Sequence, residues 1–180
     1  EMLRSLVGSE MCIRDSLYVV VFYATDFSWD SILYCLMTSA LIVLSVIDYR
    51  TYEIPFGINV FLFVLGVIRC VFGKGDRGTL MIGFFAVSLF LLLLSLLTRG
   101  AAIGGGDIKL MAAAGLLLGW KLIILAFVMG CIAGSVVHLF RMKVCGAGRM
   151  LALGPYLSVG IFIAALWGNG MIDWYLGLFM

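Results

Sequence analysis

Two aspartates in this sequence stand where an apolar segment meets its polar flank. Asp48 closes the run LIVLSVID, and Asp107 opens the run DIKLMAAAG behind three glycines, Gly104, Gly105 and Gly106. An ionisable group at the end of a membrane helix is costly to hold there and is a functional candidate by default. Two carboxylates kept close together do not both ionise easily, so one pKa rises and the pair shares a proton over a useful pH range. The ionised member can then take a proton from water while the neutral member donates one to a carbonyl oxygen. Such a pair hydrolyses a peptide bond without a metal and without a nucleophilic side chain. Backbone free of side chains at Gly104, Gly105 and Gly106 turns sharply and lets an extended peptide approach the acid. Each acid also has a plain structural reading. Asp48 can balance Arg50 at an interface, and Asp107 can cap its helix with the glycines as a turn. The conjunction of two acids on one membrane face, one of them behind G-x-G, favours chemistry.

That conjunction depends on the elements between them. Hydrophobic residues make up 64% of the 180-residue chain and charged ones 12%, with a mean hydropathy of +1.18. So little polar surface cannot cover a soluble domain, and a chain of long apolar stretches reads as an all-α, polytopic transmembrane bundle in a lipid bilayer. A spanning helix needs about 20 mainly apolar residues. Six stretches approach this: Trp29–Ile47, Phe56–Phe72, Thr79–Thr98, Ile108–Trp120, Leu122–Phe140 and Leu151–Trp167, with Leu17–Thr25 as the stub of a seventh. Six or seven spans are therefore expected. Ile108–Trp120 is short and reads as a broken or re-entrant element surrounded by protein. Two spans separate Asp48 from Asp107, so parity puts both at one membrane face. Arg50, Arg99, Arg141, Lys143 and Arg149 fall on that face, and Lys74, Arg77 and Lys121 on the other, with Arg69 near its helix end. The excess of basic residues assigns the aspartate face to the cytoplasm.

The formal charge of +2 carries no signal for nucleic acid. The cysteines Cys12, Cys35, Cys70, Cys131 and Cys145 show no C-x-x-C spacing, which argues against a zinc site or a redox pair; no metal and no cofactor is called for. The stretch LVGSEMCIRDS, Leu6 to Ser16, reads as the translation of a transposase-type sequencing adaptor. Residues 1–16 are accordingly set aside as an artefact, leaving 17–180 as the membrane unit, with its native start left open.

Three segments resemble the bacterial type IV prepilin peptidases. IDYRTYEIP resembles their first catalytic motif, GGGDIKLMAAAGLLLGW the G-x-G-D motif, and LALGPYLSVGIFIAALWG their last shared segment. The resemblance runs from about Trp29 to the C-terminus. It implies a membrane-embedded aspartic endopeptidase that cuts the basic leader from single-span prepilins or pilin-like subunits, at the cytoplasmic face of the bacterial inner membrane. It also implies Asp48 and Asp107 as the catalytic pair, Gly104 and Gly106 as the motif glycines, Ile54 and Pro55 as the end of the first motif, and Gly154 and Pro155 as the entry to the last span. Longer members carry an N-terminal insertion with two C-x-x-C pairs. Nothing here matches it, so the resemblance is to a compact form or to a fragment of a longer member, and it leaves N-methyl transfer unassigned.

Other polar residues divide between two readings. Lys109 either snorkels to the interface or faces Asp107 or a substrate carboxylate. Glu53 reads as a solvated loop acid or as a contact for the basic leader, and His138 as a polar helix-end residue. Gly130 and Gly134 form a G-x-x-x-G pattern suited to helix packing. The tryptophans near span ends form an interfacial belt. The competing function is a small transporter or channel whose two acids bind a cation or relay protons through a discontinuous helix. It predicts two repeated halves, which the sequence lacks.

Overall fold

The computed structural model describes residues 2–25, 28–73, 76–99, 104–145 and 152–178. Lys74 and Arg149, used above to orient the chain, lie outside the described residues. Every regular element among those described is helical: α1 (Met2–Thr25), α2 (Trp29–Thr51), α3 (Phe56–Phe72), α4 (Arg77–Ala86), α5 (Ser88–Leu97), α6 (Gly105–Leu118), α7 (Trp120–Cys145) and α8 (Gly154–Gly177). Four stretches are long and apolar enough to cross a bilayer: Trp29–Thr51, Arg77–Leu97, Trp120–Val144 and Gly154–Gly177. The apolar α3 has 17 residues, a rise of about 26 Å, against a hydrocarbon core of about 30 Å. The chain is a multi-pass helical membrane protein.

The boundaries depart from the sequence reading in three informative places. The span expected over Thr79–Thr98 is present as Arg77–Leu97, but its helix breaks locally at Val87, between α4 and α5. Beside the break, the Ser88 hydroxyl bonds back to the Phe84 carbonyl, a contact that competes with the helical ladder and bends helices. Helix α6 starts at Gly105, which puts Asp107 inside its first turn. It stops at Leu118 because Gly119 takes φ 87°, a value favourable only for glycine. Trp120 therefore opens α7 instead of closing α6.

With 14 residues, α6 rises only about 21 Å, and it is the centre of the bundle. Leu110, Met111 and Ala113–Leu118 are all buried. A helix that is apolar all round belongs in a core, and here α3 and α4 cover it on two sides. Gly83 of α4 and Gly115 of α6 are pressed together: a Cβ on either would come within 2.4 Å or 2.1 Å of the other's carbonyl oxygen. Helices α7 and α8 make the other large contact, and α8 also lies along α2. Gly130 and Gly134 face Leu157 and Tyr156 of α8, so the G-x-x-x-G pattern is a packing surface.

At the end of the bundle away from Asp48, Arg69 ties three helices together. Its Nε lies 3.4 Å from Asp30 Oδ1 at the start of α2. Its guanidinium donates to the Leu117 carbonyl at the end of α6 and stacks over the Tyr34 ring at 5.2 Å. A cation at a helix C-terminus is favourable because the last carbonyls carry partial negative charge. These contacts set where α2 and α6 start and stop relative to each other, and so the heights at which Asp48 and Asp107 emerge. Arg69→Met is expected to destabilise the purified protein by about 1–3 kcal/mol, the scale of losing charge-assisted hydrogen bonds. Thermal unfolding in detergent checks this, and an unchanged midpoint would show that the knot holds nothing.

Candidate active site

The first acid is set by how α2 ends. Asp48 lies one turn from the terminus and is 5% exposed. Its carbonyl accepts the Tyr52 N–H at 2.9 Å, and Tyr52 closes the helix in the left-handed conformation, φ 56° and ψ 24°. That geometry is uncommon for a bulky residue. Thr51 supports it, since its hydroxyl donates to the Ile47 carbonyl at 2.9 Å and accepts the Glu53 N–H at 3.3 Å. The chain then reverses through Ile54 and Pro55, and Pro55, with φ −60°, leads into α3 at a φ its ring imposes.

The second acid is set by the glycine turn. Gly104 is extended, with φ −69° and ψ 142°, and its carbonyl accepts the Asp107 N–H at 3.2 Å. Gly106 is the sterically demanding position. A Cβ there would lie 2.8 Å from the Cβ of Ile54, so Ile54 seats directly on the glycine backbone and joins the two motifs. Asn59, buried on α3, donates from Nδ2 to the Gly106 carbonyl at 3.4 Å. By contrast, nothing lies within 4 Å of a Cβ built on Gly105.

The third segment closes the site. The Gly154 N–H, at the start of α8, donates to Asp48 Oδ2 at 2.9 Å. First-turn N–H groups have no partner within their own helix, and Pro155 in that turn needs none. A Cβ on Gly154 would stand 2.6 Å from the same carboxylate oxygen. Gly-Pro thus does more than start the last span. The glycine lets the α8 terminus reach Asp48, and the proline costs the helix no hydrogen bond.

Asp48 and Asp107 meet at a cavity of about 250 Å3 lined also by Tyr52, Glu53, Ile54 and Gly104–Gly106. A larger cavity of about 450 Å3 lies between α1, α2 and α8, but it is apolar and lined by no titratable group. Chemistry, not size, selects the smaller one. Asp107 precedes the apolar run of α6, and its carboxyl is pushed up to about 6, by burial first and by the facing charge of Asp48 second, against the pull of the Gly104 N–H. A carboxyl with that value near a second acid is what a shared proton requires.

Parity alone had placed the two acids on one face; the structure brings them to one cavity. It also gathers Ile54 and Gly104–Gly106 there, and Gly154 against Asp48. Lys109 goes elsewhere: its Nζ lies over the Phe56 ring at 5.2 Å, and the ion pairs among the described residues are Arg14–Asp15 and Arg69–Asp30. Glu53 does line the cavity, whereas His138 and Arg50 do not. Sequence reasoning passed over Asn59, although a carboxamide in the apolar run FGINVFLF was a signal. It also passed over Tyr52, whose backbone conformation leaves no trace in residue type.

The sequence pattern of the type IV leader peptidase family matches residues 35–139, a stretch that contains both aspartates. The chain belongs to that family. Among its curated relatives is a prepilin leader peptidase/N-methyltransferase of Legionella pneumophila, 33% identical over 147 residues, covering 78% of this chain and 51% of the relative. Proteins of the same name from Stutzerimonas stutzeri and Bacillus subtilis are each 31% identical, over 83% and 77% of this chain and 54% and 56% of theirs. The chain spans about half the length of the curated relatives it matches. No solved structure matches it.

The glycines separate into tolerant and intolerant positions. Gly106→Ala and Gly154→Ala are each expected to lower stability by about 1–3 kcal/mol through overpacking. Gly105→Ala is expected to stay within about 0.5 kcal/mol of the parent. Melting of the three variants in one detergent tests the ranking, and equal losses at all three would contradict it.

Proposed function

We propose that the protein is an aspartic endopeptidase of the bacterial inner membrane that removes the basic leader from single-span prepilins or pilin-like precursors at the cytoplasmic face. The observation that carries this is the meeting of Asp48 and Asp107 at one polar cavity, in a chain of the type IV leader peptidase family. The relatives' name supplies the substrate class. It also includes N-methyl transfer, which this reading does not extend to the present chain.

In this mechanism one carboxyl is ionised and takes a proton from a water in the cavity, while the other is neutral and donates its proton to the scissile carbonyl oxygen. The tetrahedral intermediate then collapses as a proton passes to the departing amine. The raised value of Asp107 suits it to the neutral role at the start of the cycle, although the proton belongs to the pair. The Gly154 N–H holds Asp48 in place, and Ile54 on Gly106 holds the turn that carries Asp107. The substrate must be extended at the cut, since a helical peptide bond is shielded. Open backbone at Gly104 and Gly105 suits such a strand. Glu53, on the cavity rim, suits the basic leader. We propose also that residues 17–180 form the peptidase unit and that residues 1–16 are adaptor-derived. Cation or proton transport by the same acids finds no support in the family.

Asp48→Asn and Asp107→Asn are each expected to abolish leader cleavage while the protein still inserts. The assay follows the mass of a prepilin co-expressed with each chain, and cleavage by either variant would remove that acid from the mechanism. The pH dependence has a definite sign. Below the acid limb both carboxyls are protonated and no base remains. As pH rises through the Asp107 value of about 6, the neutral acid is lost and kcat/KM falls again. A profile flat across both limbs would rule out a shared proton.

A further inference from the structure

Helices α3 and α4 both pack on α6 but hardly touch each other. Between them runs a cleft with α6 as its floor. Its head lobe, about 260 Å3, lies between Phe56, Val60 and Phe63 of α3 and Phe84 of α4, over Ala112 and Ala113. A second lobe of about 360 Å3 continues past Phe63 and Phe84 to Val67, Val71 and Met81. The Phe63 and Phe84 rings meet edge to face, 6.1 Å apart, at the junction. From Phe56 to Val71 the cleft follows α3 for about 22 Å at 1.5 Å per residue. That is the reach of a helix crossing most of a bilayer.

Three observations distinguish this cleft from ordinary lipid-facing surface. Its head adjoins the catalytic cavity, because Asn59 lines it and donates to the carbonyl of Gly106, the residue before Asp107. Asn59 is 4% exposed, and its Oδ1 is buried with no hydrogen-bond partner. An acceptor left unmade in apolar surroundings is costly, and an acyl chain has no donor to satisfy it. Lys109, at the same lobe, puts a cation at the mouth. An apolar helix preceded by a short extended strand fits this surface: side chains for the walls, a backbone N–H for Asn59, and a direct path to the aspartates.

We propose that the α3–α4 cleft over α6 is the seat of the substrate's apolar helix, on the side of the scissile bond that remains after cleavage. Asn59 Oδ1 receives a backbone N–H from the extended residues between that helix and the cut. The proposal rests on the peptidase reading above and assigns that reading its substrate surface.

The test places a photo-reactive phenylalanine at Val60 or Val67 in the Asp107→Asn chain, reconstituted with a synthetic precursor of basic leader, glycine and a 20-residue apolar helix. The controls sit at Val128 and Ile132 of α7, which are 46% and 60% exposed, against 41% and 40% for Val60 and Val67. Adducts with the precursor at least tenfold more abundant at Val60 and Val67 than at the controls are expected. In the same chain Asn59→Leu is expected to lower the Val60 adduct at least fivefold; an undiminished yield overturns the role given to Asn59. Cleavage of this precursor by the unsubstituted chain, without preferential adducts in the cleft, overturns the groove and leaves the peptidase reading standing. Adducts only with lipid, or with a second copy of the chain, do the same. Adducts in the cleft with no cleavage by the unsubstituted chain support the groove and count against the peptidase reading.

Discussion

A carboxylate lies deep at the end of an apolar bundle here because a backbone N–H is held against it. The Gly154 N–H on Asp48 Oδ2 is a contact between the last turn of α2 and the first turn of α8, and much of the structure serves to make it possible. Gly154 has no side chain because a Cβ would enter the carboxylate. Pro155 follows because the first turn is where a helix loses nothing by it. Helix α8 comes to that point because it packs along both α7 and α2. The bond also fixes the side chain of Asp48, so that Asp107 meets a carboxylate of defined position.

The second acid is held by shape. Ile54 rests on Gly106, and α6 is clamped further along by the Gly83–Gly115 contact and at its far end by Arg69. A central helix of 14 residues is too short to be anchored by the bilayer itself, so neighbouring helices must set its height. The small residues on its surface admit those neighbours, and its charged first turn emerges at the cavity. Both α3 and α4 pack on α6 rather than on each other, which leaves the cleft over its surface.

Positioning and reactivity make opposite demands on this site. Burial and a neighbouring charge raise Asp107, which suits proton donation but penalises the charged state. The left-handed Tyr52 and the unpartnered Oδ1 of Asn59 are further local costs, both within or next to the cavity. Strain and unmet hydrogen bonds concentrated at one place are common at functional sites, and the well-packed α7–α8 and α3–α6–α4 contacts elsewhere offset them.

Much of this was legible in the order of residues. Hydropathy located α2 and α3 closely, because the preference of apolar side chains for lipid accumulates residue by residue along a segment; it also found α7 and α8, which run on past the expected ends at Phe140 and Trp167 to Cys145 and Gly177. Counting spans put Asp48 and Asp107 on one face, since parity needs no coordinates. Residue type also marked Gly104–Gly106, Gly154 and Pro155, and the resemblance to the prepilin peptidases marked Ile54 and Pro55. What those residues do was decided by tertiary structure. The bond from Gly154 to Asp48 joins positions 106 apart in the chain, and only the packing of α8 on α2 brings them within hydrogen-bonding reach. Ile54 on Gly106, Asn59 on the same carbonyl, Arg69 on Leu117 and the displacement of Lys109 onto Phe56 have the same origin. Each depends on the distance between two helices, a quantity set jointly by every side chain in their interface and carried by no single stretch of sequence.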